Sequence, residues 1–248
     1  MEFDVNIFVQ QLVNPSYMSG AFLSVAVAVL SLILATAIGF VVALGRTSRS
    51  RIGQGVASLY TWFFRAIPAL LVLLIIWNAL PQLFPVLRQD WFSPFIAAFI
   101  GLGIVEAAFM AEIIRSALLS IDEGQALAGR ALGMSPVKVM LKVVLPQAIR
   151  TALPPTGNEF IGLVKFSSLA SVISLQELLT TAQVGVNITF RYAEYYAAAI
   201  VYYLIIVSLL TVLQSYVEKK FVWTSRSKSK KLSTLEPVGL TVGQGVQS

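Results

Sequence analysis

Five stretches of this 248-residue chain are each long and apolar enough to cross a lipid bilayer, and no other feature limits its fold as strongly. A spanning helix needs about 20 consecutive apolar residues, because every backbone N–H and C=O must be satisfied within the segment once water is gone. The runs cover residues 20–44, 56–80, 94–114, 153–175 and 195–217. The fourth contains Pro154, Pro155, Gly157, Glu159 and Lys165, so it is expected to be kinked or to line a cavity. Composition agrees: 57% of residues are apolar and 12% are charged, against about 25% charged in an average soluble domain. An all-α integral membrane protein with five transmembrane helices is the fold class these runs imply.

The chain has no cysteine and no histidine. Disulfides, zinc ligation by those residues, cysteine nucleophiles and imidazole-dependent triads are therefore excluded, and few routes to hydrolytic catalysis remain. The net charge of +6 is not spread evenly. Arg46, Arg49 and Arg51 follow the first run; Arg115, Arg130, Lys138, Lys142 and Arg150 follow the third; Lys219, Lys220, Arg226, Lys228, Lys230 and Lys231 follow the fifth. Fourteen of the 18 basic residues thus fall on one side, which the positive-inside rule assigns to the cytoplasm, with the N-terminus external and the C-terminus cytoplasmic. The basic excess is read as contact with anionic lipid, not nucleic acid.

Residues 1–19 lack the basic start and small-residue cleavage site of a signal peptide and read as an external leader. Residues 20–224 form the membrane domain, and the Ser/Lys- and Gly/Gln-rich residues 225–248 are expected to be a disordered cytoplasmic tail.

The longest basic loop, residues 115–150, has its own helical grammar. Ala117, Leu118 and Ile121 and then Ala128, Ala131 and Leu132 suggest an apolar stripe stopped by Gly133. Ser135 and Pro136 supply an N-cap and first turn for a second helix, which Pro146 is expected to bend or end. Small residues on the first helix suit protein docking better than burial in lipid; an interfacial amphipathic hairpin is the competing reading.

That loop, GQALAGRALGMSPVKVMLKVVLPQAIR, resembles the EAA loop of permease subunits of ATP-binding-cassette importers, in particular the type I importers for polar amino acids of the histidine, glutamine and glutamate kind. The matching positions are Gly124, Gln125, Ala128, Ala131, Leu132, Gly133, Met134, Ser135, Leu145, Pro146, Gln147, Ala148 and Arg150. FFRAIP at 63–68, AEIIR at 111–115 and LPPTGNEFIGLVKFSSLAS at 153–171 are similar to further segments of that family. Two departures stand in the loop: Leu127 replaces the family's acidic residue and Gly129 its second alanine.

The resemblance implies a subunit of an amino-acid importer in a bacterial inner membrane. Residues Gly124 to Ser135, Leu127 and Gly129 included, would form a coupling helix docked on an ATP-binding subunit dimer. A solute-binding protein would deliver substrate from outside, and a second permease chain, identical or homologous, would complete the pathway. No phosphate-binding G-x-x-x-x-G-K-[ST] motif is present, so ATP and magnesium belong to the partner and no cofactor is expected on this chain.

Ionisable residues inside spans are costly and point to function by default. Arg65, Asn158, Glu159, Lys165, Ser167 and Ser168 are the candidates for a substrate pathway, with packing of the fourth span as an equal alternative. Arg65 either snorkels or pairs with Glu106, and Glu112 with Arg115, three residues apart, reads as an ion pair supporting the loop. Two rival functions remain open: an ion-gradient-driven transporter using Glu159 or Glu106 as a proton site, and a membrane scaffold that carries nothing.

Overall fold

The computed structural model describes residues 2–222, and no strand occurs among them. The expected tail from residue 225 lies outside the described residues. Three helices are long and apolar enough to cross a membrane: α2 (Pro15–Thr47), α6 (Pro94–Leu119) and α11 (Tyr192–Val222). Two further segments qualify only as bent pairs, which would bring the spans to five.

The first bent pair corrects the second apolar run. Residues 56–80 do not form one straight span: α3 (Arg51–Ala66) ends at Pro68, and the chain turns by 100° into α4 (Ala69–Leu74) and α5 (Leu80–Leu83). The cause is local, since proline disfavours helical backbone in the residue before it, and Ile67 is extended at φ −93°, ψ 144°. The second pair joins the fourth run to α10 (Leu178–Thr189), a helix that the apolar pattern had left in an external loop, at a 46° bend.

Proline does not end the helix after residue 136 either. From α8 (Pro136–Val139) the chain passes through a π-turn at Met140–Val144 into α9 (Leu145–Phe166), which continues through Pro154 and Pro155 and tightens into a 3₁₀ turn at Ser167–Ile173. The π-turn is what Pro146 requires. Leu145 donates its N–H to the Met140 carbonyl, five residues back, and so shifts the ladder where the proline has no N–H to give. Ile75–Ala79 repeats the device ahead of Pro81.

The centre of the molecule is a seam between α2 and α6. Ala28, Ser31, Ala35, Gly39 and Ala43, three or four residues apart along α2, are buried. Without a hydrophobic drive between helices in lipid, such small side chains gain close contact and dispersion instead. Gly39 is a point of close backbone approach: a Cβ there would lie 2.8 Å from Met110 Cβ and 3.0 Å from the Ala107 carbonyl oxygen. Ser31 donates to the Phe99 carbonyl at 3.2 Å, and Arg46 reaches Glu112, so the two helices run in the same direction. Arg46, Glu112 and Arg115 consequently share one end of the bundle, which we call the basic end.

At the opposite end the leader is structured. A short helix, α1 (Val5–Leu12), capped by Asp4, packs on α11, where Tyr202 donates to the Leu12 carbonyl and Glu194 accepts from Asp4 N–H. Glu177, fully buried, caps α10 by accepting from the Leu179 and Thr180 backbone N–H groups, and also accepts from the hydroxyls of Thr180 and Tyr203 at 3.0 and 3.2 Å. One carboxylate thereby ties α10 to α11.

Candidate functional site

Two constellations emerge from this framework, an exposed hairpin at the basic end and an ionisable face inside the bundle. The hairpin begins where α6 stops. The expected apolar stripe is broken at Ser120–Asp122, because the Asp122 side chain accepts the Gly124 N–H at 2.6 Å and starts a separate helix, α7 (Glu123–Ala131). Gly133, at φ +77°, closes it: its N–H donates to the Arg130 carbonyl, and Met134 N–H donates to the Gly129 carbonyl at 3.1 Å. That pair of bonds is a Schellman motif, and it needs a left-handed residue at Gly133. Ser135 then caps α8 by accepting from Lys138 N–H, with Pro136 in the first turn. The Gly-Met-Ser-Pro turn expected from the sequence is therefore present and capped on both sides.

Gly129 explains one departure from the family pattern. It is buried, and a Cβ there would meet Val139 Cγ2 at 3.0 Å, so α7 packs on α8 closely because the side chain is absent. Leu127, the other departure, is 57% exposed, and Leu132 reaches 83%. Gly124, Gln125, Ala128, Ala131, Gly133 and Ser135 are also exposed, and Met134 is half-buried. A capped hairpin thus presents apolar side chains that no other described residue covers. Its root is fixed by the expected pair and by one that the sequence did not suggest: Glu112 binds Arg115 at 2.8 Å and also Arg46 of α2 at 2.7 Å, while Arg46 donates to the Thr61 hydroxyl at 2.8 Å.

On the interior face, Glu106 is 4% exposed, and its Oε1 has no hydrogen-bond partner among the described residues. The group that approaches it is the carboxyl of Glu159, across the contact between α6 and α9. Like charges in a low dielectric require a shared proton or a cation between them. Asn158, next to Glu159, accepts from Gln214 of α11 at 3.0 Å, and Gln214 also bonds the Pro154 carbonyl and Glu218. The other expected members are dispersed. Lys165 is exposed and has no ion-pair partner among the described residues; Ser167 is buried and donates to the Val164 carbonyl, and Ser168 donates to the Lys165 carbonyl. Arg65 does not pair with Glu106; its guanidinium lies 5.4 Å from the centroid of Phe109. Glu177 and Gln214 were missed, since Glu177 stands where Ser, Thr, Asp or Asn ordinarily caps a helix. No group of three metal-ligating side chains occurs among the described residues.

Comparison with known proteins bears on both constellations. The chain is 34% identical over 205 residues to the probable amino-acid permease protein YxeN of Bacillus subtilis, spanning 83% of this chain and 91% of the relative. It is 35% identical over 233 residues to the arginine transport system permease protein ArgU of Corynebacterium glutamicum, spanning 90% and 72%. Among solved structures, a chain of an amino acid ABC transporter with histidines superposes with a TM-score of 0.79 at 32% identity, covering 89% of this chain and all of that one. Residues 35–223, which include the seam from Ala35 onward, the capped hairpin and the acidic pair, match the family model of the binding-protein-dependent transport system inner membrane component, and the chain belongs to that family.

Proposed function

We propose that this chain is the membrane-embedded subunit of an ATP-driven importer for polar amino acids in a bacterial inner membrane. The observation that carries the proposal is the capped hairpin α7–Gly133–α8, whose exposed Leu127, Leu132 and Val137 have no partner within the described chain. A separate ATP-binding dimer covers this surface through Gly124, Gln125, Leu127, Ala128, Ala131, Leu132, Gly133, Met134 and Ser135, and binds the ATP and magnesium itself, while Gly129, buried against Val139, holds the hairpin closed beneath that surface. Leu127 makes an apolar contact where the family pattern has an acid.

The remaining assignments follow from charge and pairing. The basic end faces the cytoplasm, the leader of residues 1–19 lies outside, and residues 20–224 cross the bilayer five times, with the coupling loop at 115–150. A solute-binding protein docks on the outer face, and a second copy of the chain or a homologous one completes the pathway between them. Conformational switching is then a change in the balance of inward- and outward-facing states, driven by contacts at the hairpin.

Substrate selection rests on the acidic pair. Glu106 and Glu159, with Asn158 beside them, suit a solute carrying an ammonium, guanidinium or imidazolium group, in keeping with relatives named for arginine transport and solved with histidines. We assign Lys165 and Ser168 to the pathway away from this pair and Arg65 to its basic side, while Ser167, fully buried and bonded to the Val164 carbonyl, is assigned to packing. The test is uptake by the reconstituted complex: Glu159→Gln is expected to depress arginine uptake more than glutamine uptake, and an equal effect on both would remove the acidic pair from recognition. The same pair would also serve a proton-driven carrier. Uptake into vesicles holding this chain alone under a proton gradient would favour that second reading.

A further inference from the structure

Beside α3 lies an open groove of about 540 Å³ lined by Arg46, Ser58, Thr61, Trp62, Arg65 and Glu112; neither Glu106 nor Glu159 borders it. Its charges do not balance. Glu112 is the one carboxylate of the groove, and both its oxygens are taken, Oε1 by Arg46 at 2.7 Å and Oε2 by Arg115 at 2.8 Å. Arg46 spends a single nitrogen, Nη1, on Glu112 and on the Thr61 hydroxyl. Arg65 is exposed, has no carboxylate partner among the described residues and rests against Phe109, 5.4 Å from the ring centroid. Contact with the ring leaves the N–H edge of the guanidinium open, and that planar fork matches two oxygens of a phosphate. Three guanidinium groups around one carboxylate make the groove a net positive surface that attracts an anion.

The helix that carries the groove has two faces. Ser58, Trp62 and Arg65, four and three residues apart, share one side of α3, and all three are exposed. Ile52, Val56, Leu59 and Phe63, at intervals of four, three and four, form an adjoining stripe of exposed apolar side chains, and Trp62, 67% exposed, stands between the two. An apolar stripe for acyl chains, an aromatic ring at headgroup level and cations for a phosphate are the parts of a helix that meets the membrane interface. Depth agrees. Arg46 lies in the last turn of α2, at the basic end, where α3 begins. Phe109 is one helical step of three residues from Glu112, so Arg65 sits only about 4.5 Å further into the bilayer, within reach of the headgroups for a long side chain. A free phosphate ion would use the cations and leave the stripe idle; a phospholipid uses both.

We infer that this groove binds the headgroup of an anionic phospholipid from the leaflet at the basic end. Arg65 donates to the phosphate through its fork, Ser58 and Arg46 add further donors, and an acyl chain lies along Ile52, Val56, Leu59 and Phe63. The lipid supplies the countercharge that Glu112, shared between Arg46 and Arg115, cannot. Arg65 keeps its place on the basic side of the pathway, but what it holds there is a lipid and not the solute. The site stands whichever solute the chain moves.

The experiment is a fluorescence titration of the full-length chain, purified in detergent with the subunits that accompany it, using phosphatidylglycerol or phosphatidylcholine with brominated acyl chains. Bromine quenches a nearby indole, and the Trp62 signal is the difference between the natural chain and Trp62→Phe. Trp62 is expected to be half-quenched at a phosphatidylglycerol fraction roughly fivefold or more below that of phosphatidylcholine, the worth of one basic residue facing an anionic headgroup. In Arg65→Gln that ratio falls toward one, because Arg46 and Arg115 remain bound to Glu112, and Arg65→Lys restores part of it. Size-exclusion profiles report whether each variant is intact, and the unaltered chain decides by itself if Arg65→Gln is not. Equal quenching by the two lipids in the unaltered chain overturns the inference, as does an unchanged ratio in intact Arg65→Gln. No quenching of Trp62 by either lipid overturns it by showing the face covered by protein. Reversal of the quenching by excess glycerol 3-phosphate, which has the phosphate and no acyl chain, overturns it by making the groove a site for free anions; persistence of the quenching supports the lipid.

Discussion

The α2–α6 seam and the hairpin α7–Gly133–α8 both rely on small residues, yet one is finished and the other is not. Along α2, Ser24, Ala28, Ser31 and Ala35 are fully buried against neighbours in the same chain. In the hairpin only Gly129 is spent on internal packing, and Gly124, Ala128 and Ala131 lie open beside Leu127 and Leu132. The seam makes the subunit; the hairpin, in the function proposed above, is a surface whose other half belongs to another protein. Small side chains alone do not distinguish the two. What does is whether the backbone that carries them is held by packing, as in the seam, or by caps, as at Asp122, Gly133 and Ser135.

If this contrast is right, the same class of substitution has opposite consequences in the two places. Gly39→Leu drives a side chain into Met110 and the Ala107 carbonyl, and should cost about 3 kcal/mol of stability, with loss of monodisperse protein on fluorescence-detected size exclusion. Wild-type thermal stability in that variant would break the seam argument. Glu177→Ala strips two backbone and two hydroxyl donors of their buried acceptor and should cost about 2 kcal/mol, seen as faster hydrogen exchange across α10. Gly133→Ala has open space for its Cβ but must hold φ near +77°, so its cost should be about 1 kcal/mol, confined to exchange in α7. Leu132→Asp, on an exposed site, should change thermal stability by less than about 0.5 kcal/mol while co-purification of the ATPase falls sharply. Retained ATPase in that variant would mean the exposed face is not the docking face.

The apolar runs identified the helical membrane class, and four of the five fall within long helices or a continuous helical segment. They could not disclose the bend at Ile67, because hydropathy averages over a break that one proline sets. Pro146 misled in the other direction: a π-turn absorbs the missing N–H, a cost that no local propensity anticipates. α10 escaped notice because, at 12 residues, it is too short for a span and is held by a buried acid that reads as polar loop. In the site, the hairpin was legible since caps and turns are local; the stripe drawn through Ile121 was wrong because Asp122 makes a better cap than Ile121 makes a core residue. The Glu112–Arg115 pair was legible by spacing, whereas Arg46 at Glu112 and Glu159 at Glu106 depend on how helices meet.

The central claim is that this chain moves substrate only when an ATPase grips the hairpin. ATP-dependent uptake of radiolabelled arginine into proteoliposomes is the direct measurement, made with the complete complex of permease, ATPase and solute-binding protein carrying either the natural hairpin or Gly133→Trp. The account predicts uptake with the natural hairpin and background uptake with Gly133→Trp, because the indole both disfavours the left-handed turn and crowds the docking face while the seam stays intact. Normal ATP-dependent uptake by the Gly133→Trp complex would contradict it.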